Sequence, residues 1–377
     1  MTDVSVFSDI QKHVPIVGDI NLKSPLAYKA TRFVAGALNV TQMAFAEAYI
    51  NGLEIPDSIL CAIMDRSMST LFKHFPSLMA PYEWVLKESD RLAESSHELM
   101  KLQYDLPQAM LNYMMGDWQV IYPKYSMGLW EKGAIDLEQS QMHMLDQVIE
   151  RLGIVDGDHI LDFGCGWGCV ANYIMSKFPN VRFTGLNLSH QQCEYIRGKM
   201  QDPHSYLSGS RFTLHEGDLN DAQFSEKFDK ILSIGVFCHV GNLTNTFQKL
   251  STFLKSDGKV FIHIFTVRVP NNVSSGFTHK YIFPHGRYWN YDAIPSYNRD
   301  LKTIDRWYIN GKNYQKTLME WLRRFDESQE MVKSLDYGMD YAKFRRIWRF
   351  YLLLLATAIG SCDGEYNGNG QYLMTHR

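Results

Sequence analysis

With 377 residues, 45% of them hydrophobic and 13% aromatic, the chain has ample material for a large folded core, which excludes a disordered protein. A formal net charge of −3 leaves no basic excess for a phosphate backbone, so no nucleic-acid partner is expected. The six cysteines form no C-x-x-C pair and no histidine cluster has metal-ligand spacing, so reduced thiols, no metal and a cytoplasmic setting are expected.

Met1 to Lys23 mixes Asp, Gln, Lys and His among its apolar residues and lacks a signal-peptide core. The most apolar run, Phe350 to Ile359, is far shorter than the roughly 20 residues that cross a bilayer, so no stable membrane insertion is expected. Helical periodicity without strand signals fills residues 1 to about 115. Ala27–Ala35, Thr41–Asn51, Asp57–His74 and Glu83–Tyr104 read as amphipathic helices of an all-helical N-terminal extension. The domain of interest then runs from 116 to 377. An aromatic segment, Tyr122 to Trp130, precedes a helix from about Asp136 to Leu152.

Ile160-Leu161-Asp162-Phe163-Gly164-Cys165-Gly166-Trp167-Gly168 reads as a buried strand followed by a glycine turn, and Cys169 to Phe178 as the helix after it. A P-loop needs a Lys-Ser/Thr pair where Cys169-Val170 stand. A dinucleotide fingerprint needs G-x-G-x-x-G and an acid at the end of the second strand, whereas the spacing here is G-x-G-x-G and that strand, Val181–Leu188, ends at Asn187. Further elements follow in the order helix (Gln191–Met200), strand ending at His215–Leu219, strand (Phe228–Gly235), helix (Thr244–Leu254) and strand (Lys259–Thr266). Strand and helix alternate, which predicts a doubly wound α/β sheet.

An Asp two residues before G-x-G-x-G resembles the class I S-adenosylmethionine (SAM) methyltransferases, whose fold is a Rossmann-like sheet of seven mostly parallel strands. Tyr-Ser-x-x-x-Trp at Tyr125–Trp130, just upstream of D-x-G-C-G-W-G, narrows the resemblance to the cyclopropane fatty acid synthase and coclaurine N-methyltransferase group. Later segments, Lys280 to Gly286, Trp307 to Tyr314 and Thr317 to Trp321, are similar to the same group, so the resemblance covers roughly residues 100 to 377. It implies SAM as cofactor, S-adenosylhomocysteine as product, and a homodimer. It also implies that Tyr125 and Ser126 close over the methionine end of SAM and that Asp162, Gly164, Gly166 and Gly168 form its turn. Asn187, Leu188 and Gln192 would then hold the ribose, and Asp218 and Leu219 the adenine. A C-terminal lid at about 267–345 and substrate contacts from Phe237, Tyr281, Trp307 and Trp321 are expected. His239, Cys238, His263 and Tyr314 are the candidate catalytic residues.

The group holds two chemistries. Cyclopropane synthases cradle a bicarbonate with a Cys, a Glu, a His and a Tyr; here those positions are Met127, Cys238, His263 and Tyr314. N-methyltransferases carry Glu-x-x-Glu-His after strand four, where this chain has Gly235-Val236-Phe237-Cys238-His239 and keeps only the His. Methylation of a small-molecule amine nitrogen leads. C-methylation or cyclopropanation of an unsaturated lipid, S-methylation of a small thiol, and a non-catalytic SAM-binding protein are the alternatives.

Overall fold

A computed structural model describes residues 25–75, 78, 89–92, 106–268, 275–284 and 286–377. The two helices expected near the N-terminus are one continuous helix, α1 (Pro25–Ile50), because nothing between Ala35 and Thr41 breaks the backbone pattern. Helix α2 (Asp57–His74) has the expected bounds. Most of the expected helix Glu83–Tyr104 lies outside the described residues. Helices α3 (Gln108–Met115) and α4 (Leu137–Leu152) lead into the sheet. Asp136 caps α4 by accepting from the Gln139 N–H at 2.8 Å, and Gly153 ends it in the left-handed region.

The doubly wound part follows as β1 (His159–Phe163), α5 (Cys169–Lys177), β2 (Arg182–Asn187), α6 (His190–Gln201), β3 (Phe212–Glu216), β4 (Phe228–Ile234), α7 (Leu243–Phe253) and β5 (Leu254–Val267). Then come α8 (Gly276–Tyr281), β6 (Trp289–Asn290), β7 (Leu301–Asn310), α9 (Lys312–Glu327), α10 (Gln329–Val332), α11 (Tyr341–Gly360) and β8 (Asn367–His376).

The sheet runs β3-β2-β1-β4-β5-β8-β7, with the two-residue β6 paired beside β5, so eight strands replace the expected seven. Pairing is parallel except along β8, which is antiparallel to both β5 and β7. All five residues of β1 are buried, as a strand covered on both faces requires.

The stretch 267–345, read as a lid, is not one segment. Leu301 to Asn310 is β7, an edge strand paired with β8 along its length apart from a register shift between Thr303 and Asp305. Helix α11 buries Phe350, Leu352, Leu353 and Ile359 completely and packs against α2, α9 and α1. The N-terminal helices therefore share one core with the C-terminal ones. Among the described residues no helix is long and apolar enough to cross a membrane.

Candidate active site

A cavity lies at the carboxyl ends of β1, β2, β3 and β4, where open parallel sheets gather ligands. Its floor is the glycine turn after β1. Gly164 (φ 93°), Gly166 (φ 54°) and Gly168 (φ 76°) all occupy the left-handed region that glycine enters without penalty. A Cβ at Gly164 would sit 2.2 Å from Val236, whereas one at Gly166 meets nothing within 4 Å, because that position faces the cavity. The turn is tied down by two backbone N–H groups, of Gly164 and Cys165, that donate to the Leu186 carbonyl at 3.0 Å each. Asn187 completes the tie by donating to the Gly166 carbonyl at 2.8 Å and to Gln192 Oε1 at 2.9 Å.

Over the turn lies the segment Tyr122–Trp130, strapped to two helices. Leu129 N–H donates to the Ser140 carbonyl of α4 at 2.7 Å, Gly128 N–H to Thr317 of α9 at 3.0 Å, and Trp130 N–H to Asn313 of α9 at 2.8 Å. The Tyr125 ring stacks on Trp321 with centroids 5.3 Å apart.

Tyr125, Ser126, Asp162, Gly164, Gly166, Asn187, Leu188, Gln192, Asp218 and Leu219 all border this cavity. Gly168 lies just behind it as the cap residue of α5. Asp218 also accepts from Asn220 N–H at 2.8 Å, so one carboxylate both closes a turn and faces the cavity. Two buried polar atoms on the wall, Asp162 Oδ2 and Ser126 Oγ, have no hydrogen-bond partner among the described residues. Burial alone pushes the Asp162 carboxyl up to about 8. An orphaned carboxylate oxygen beside an open glycine is what a ligand bearing an ammonium group needs.

The catalytic candidates divide. His239 borders the cavity, its ring packed on Phe283 at 4.5 Å, and burial holds it down at about 3. Cys238 donates its thiol to the Gly235 carbonyl at 3.1 Å, and burial pushes it up to about 12, so it is a weak nucleophile. Tyr314 stands edge-on to Trp321 at 6.2 Å.

His263 is clasped inside the sheet instead: Gln371 lies 3.0 Å from Nδ1 and Asn369 3.2 Å from Nε2. Arg151 donates to Gln371 Oε1 at 2.5 Å, which turns the Gln371 amide so that its NH₂ donates to His263 Nδ1. On the other side of the ring, the Asn369 amide nitrogen Nδ2 lies 3.2 Å from Nε2. Both nitrogens are engaged, and the residue is fully buried.

Three of the four expected substrate residues stand elsewhere. Phe237 is fully buried under α7 against Phe247, with its carbonyl accepting from Trp289 at 2.8 Å. Tyr281 donates to Glu47 of α1 at 2.6 Å, so it fastens α8 to α1. Trp307, on β7, lies under the Arg151 guanidinium at 4.4 Å. Trp321 is buried behind Tyr125 and backs it. Sequence patterning marked these positions as aromatic, but aromatics are equally the material of a core.

Three of the marked residues, Cys238, His239 and Tyr314, are joined by others that the pattern did not mark, beginning with Tyr288. Cys238, His239, Tyr288 and Tyr314 sit deep enough for burial to dominate their titration, yet each keeps part of its surface accessible, as side chains facing an internal space do. Phe265 joins them, edge-on to Tyr288 at 4.9 Å and to Tyr314 at 6.4 Å, and Tyr351 closes the group behind Tyr125. This aromatic cluster adjoins the cavity through Tyr125, which belongs to both. Lys124, also unmarked, is buried on the cavity wall.

Residues 92–361 match the mycolic acid cyclopropane synthetase family. The (S)-coclaurine N-methyltransferase of Papaver somniferum is 27% identical over 299 residues, covering 76% of this chain and 81% of its own. The cyclopropane-fatty-acyl-phospholipid synthase of Escherichia coli K12 is 28% identical over 355 residues, covering 92% and 85%. The crystal structure of a coclaurine N-methyltransferase bound to N-methylheliamine and S-adenosylhomocysteine aligns with a TM-score of 0.76 at 21% identity, over 89% of this chain and all but 1% of that one (99%). A cyclopropane synthase from Mycobacterium tuberculosis aligns at 0.62 with 20% identity, over 77% of this chain and 100% of the other.

Sheet order, glycine turn and these likenesses together define a class I SAM-dependent methyltransferase, with SAM as its methyl donor. Within that class, the chain belongs to the mycolic acid cyclopropane synthetase family.

Proposed function

We propose that the protein methylates the nitrogen of a small aromatic or apolar amine held in the chamber of Tyr125, His239, Phe265, Tyr288 and Tyr314. The observation that carries this reading is the meeting, at Tyr125, of a cavity whose wall holds an orphaned carboxyl oxygen and the aromatic cluster of Phe265, Tyr288 and Tyr314. In the cavity, Asp162 and Ser126 receive the amino-acid end of SAM, Gly166 leaves room for it, and Asn187, Leu188, Gln192, Asp218 and Leu219 take the nucleoside. When bound there, SAM supplies a methyl group on a positively charged sulfur, open to in-line attack.

The chamber then has three tasks. It must orient the amine lone pair toward the methyl carbon, exclude water, and tolerate the positive charge that moves onto nitrogen as the carbon–sulfur bond breaks. Ring faces do the last by cation–π attraction, worth about 2 kcal/mol where water is excluded. His239 is neutral at any working pH and accepts a hydrogen bond from the entering amine, so it aims the lone pair. With its conjugate acid near 3, it is a poor sink for a full proton, so the amine enters as the uncharged base. Tyr314 and Cys238 line the chamber without carrying charge.

The rival cyclopropanation reading has less support. Met127 is fully buried in the core, and His263 is held on both ring nitrogens, so two of the four bicarbonate positions offer an anion nothing. Free cysteines suit a cytoplasmic enzyme. The test is transfer of radiolabelled methyl from SAM to a panel of small amines, with vesicles of unsaturated phospholipid in parallel. Label in amine products is expected; label confined to lipid would replace this reading with alkene methylation.

A further inference from the structure

Lys124 is a buried lysine that no carboxylate among the described residues pairs with. Its Nζ donates to the Met127 carbonyl at 2.8 Å and to Gln141 Oε1 of α4, while Ser126 O lies 3.4 Å away, beyond the usual range for a firm bond. Gln141 in turn donates to that same Ser126 carbonyl at 3.2 Å. The lysine thus holds, from inside, the loop that carries Tyr125 and Ser126, and its third N–H is only loosely engaged.

Among the described residues no carboxylate forms an ion pair with Lys124. The titratable groups that face it are the Cys169 thiol of α5, pushed up to about 12 by burial, and His263 of β5, held well below its ordinary value. Both are uncharged at working pH. Asp162 shares the cavity wall but is not within ion-pair distance. A buried ammonium and a buried carboxyl therefore border one cavity without touching, an expensive arrangement unless something bridges them. A zwitterion does so, with its ammonium on Asp162 and its carboxylate toward Lys124.

We propose that Lys124 is a positioning residue for the cofactor, fixing the Tyr125–Ser126 loop from within and supplying the positive pole for the α-carboxylate of the methionyl end. This rests on the cofactor assignment above. It goes beyond that assignment by giving the amino-acid end of the ligand its own recognition charge, on a residue next to the aromatic motif rather than in the glycine turn.

The test compares two ligands that share adenosine and sulfur and differ in the amino-acid end. S-adenosylhomocysteine has that end and 5′-methylthioadenosine lacks it. Titration calorimetry is run on wild type and on Lys124→Met, with thermal unfolding as the check on folding. Lys124→Met is expected to weaken S-adenosylhomocysteine at least tenfold and to leave 5′-methylthioadenosine within twofold. Lys124→Arg, which keeps the charge, should recover part of the loss. Equal loss of both ligands, or no loss of either, overturns the proposal. Wild type binding neither ligand would instead defeat the cofactor assignment.

A second measurement needs no change at Lys124. In Asp162→Asn, Lys124 becomes the charged group on that wall that titrates near neutrality, since burial lowers it to about 7. The preference for S-adenosylhomocysteine over 5′-methylthioadenosine should then fall as pH rises from 6 to 8.5. A flat preference overturns the proposal equally.

Discussion

The two halves of the site are built on opposite principles. The cofactor cavity is assembled from consecutive strand ends and one tight turn, and it carries charge: Asp162, Asp218 and Lys124 all border it. The proposed acceptor region draws Tyr125, His239, Phe265, Tyr288, Tyr314 and Tyr351 from six separate parts of the chain, and its side chains are aromatic rings, four of them phenols. A cofactor shared by many enzymes is read by backbone geometry and fixed charges. The variable partner is read by shape and ring faces, which can be re-sorted without disturbing the sheet.

The largest effect that should separate the halves is at Gly166. Valine there places a β-branched side chain at φ 54° and fills space the ligand needs, so affinity for S-adenosylhomocysteine should fall at least about 10²-fold with the fold intact. Calorimetry with circular dichroism checks both; retained affinity would mean that the turn does not contact the cofactor. Next is His239→Ala in the chamber, which should lower kcat on the order of 10²-fold through lost aim while cofactor affinity stays within about twofold. Because His239 does not titrate above about 3, the acid limb of the rate profile should persist in the variant. Disappearance of that limb would make His239 a titrating base.

This division also sets how far the sequence could be read. The turn was legible because Asp162, Gly164, Gly166 and Gly168 are adjacent and only glycine satisfies their backbone. Asn187 and Gln192 were legible because one ends the next strand and the other opens the helix after it, on the same crevice. Tyr288 and Phe265 were not, since aromatic residues carry no local sign of whether they face a core or a cavity. Trp307 and Tyr281 illustrate the reverse: one ends under Arg151 and the other on Glu47 of α1, through packing between segments 156 and 234 positions apart that periodicity cannot anticipate. Lys124 was hidden for another reason. A lysine is expected in water, and its burial depends on three oxygen atoms supplied by a loop and a helix.

A smaller effect is expected at Tyr288. Leucine there removes a ring face and should raise KM for an amine substrate about tenfold, whereas phenylalanine keeps the face and should stay within about threefold. Steady-state kinetics on both variants decides the point. If phenylalanine is as damaging as leucine, the phenol oxygen rather than the ring face recognises the substrate.

The smallest effect on turnover should come from His263, if the two amides that face its ring keep it out of the chemistry as we propose. With Gln371 on Nδ1 and Asn369 at Nε2, His263→Gln should leave cofactor affinity within about twofold. Its signature lies in stability. The folded value is held well below the ordinary 6.5 by burial, with Lys124 and Arg151 adding to the effect. As pH falls through 6.5, the unfolded chain therefore takes up a proton at this position that the folded chain refuses. Stability from this residue is complete above 6.5 and drains away as pH falls below it. Urea unfolding at pH 7.5 and pH 5 should show wild type losing more stability than His263→Gln. Equal acid sensitivity in the two proteins would mean that His263 can be protonated in place, and that its two amide neighbours do not hold it neutral.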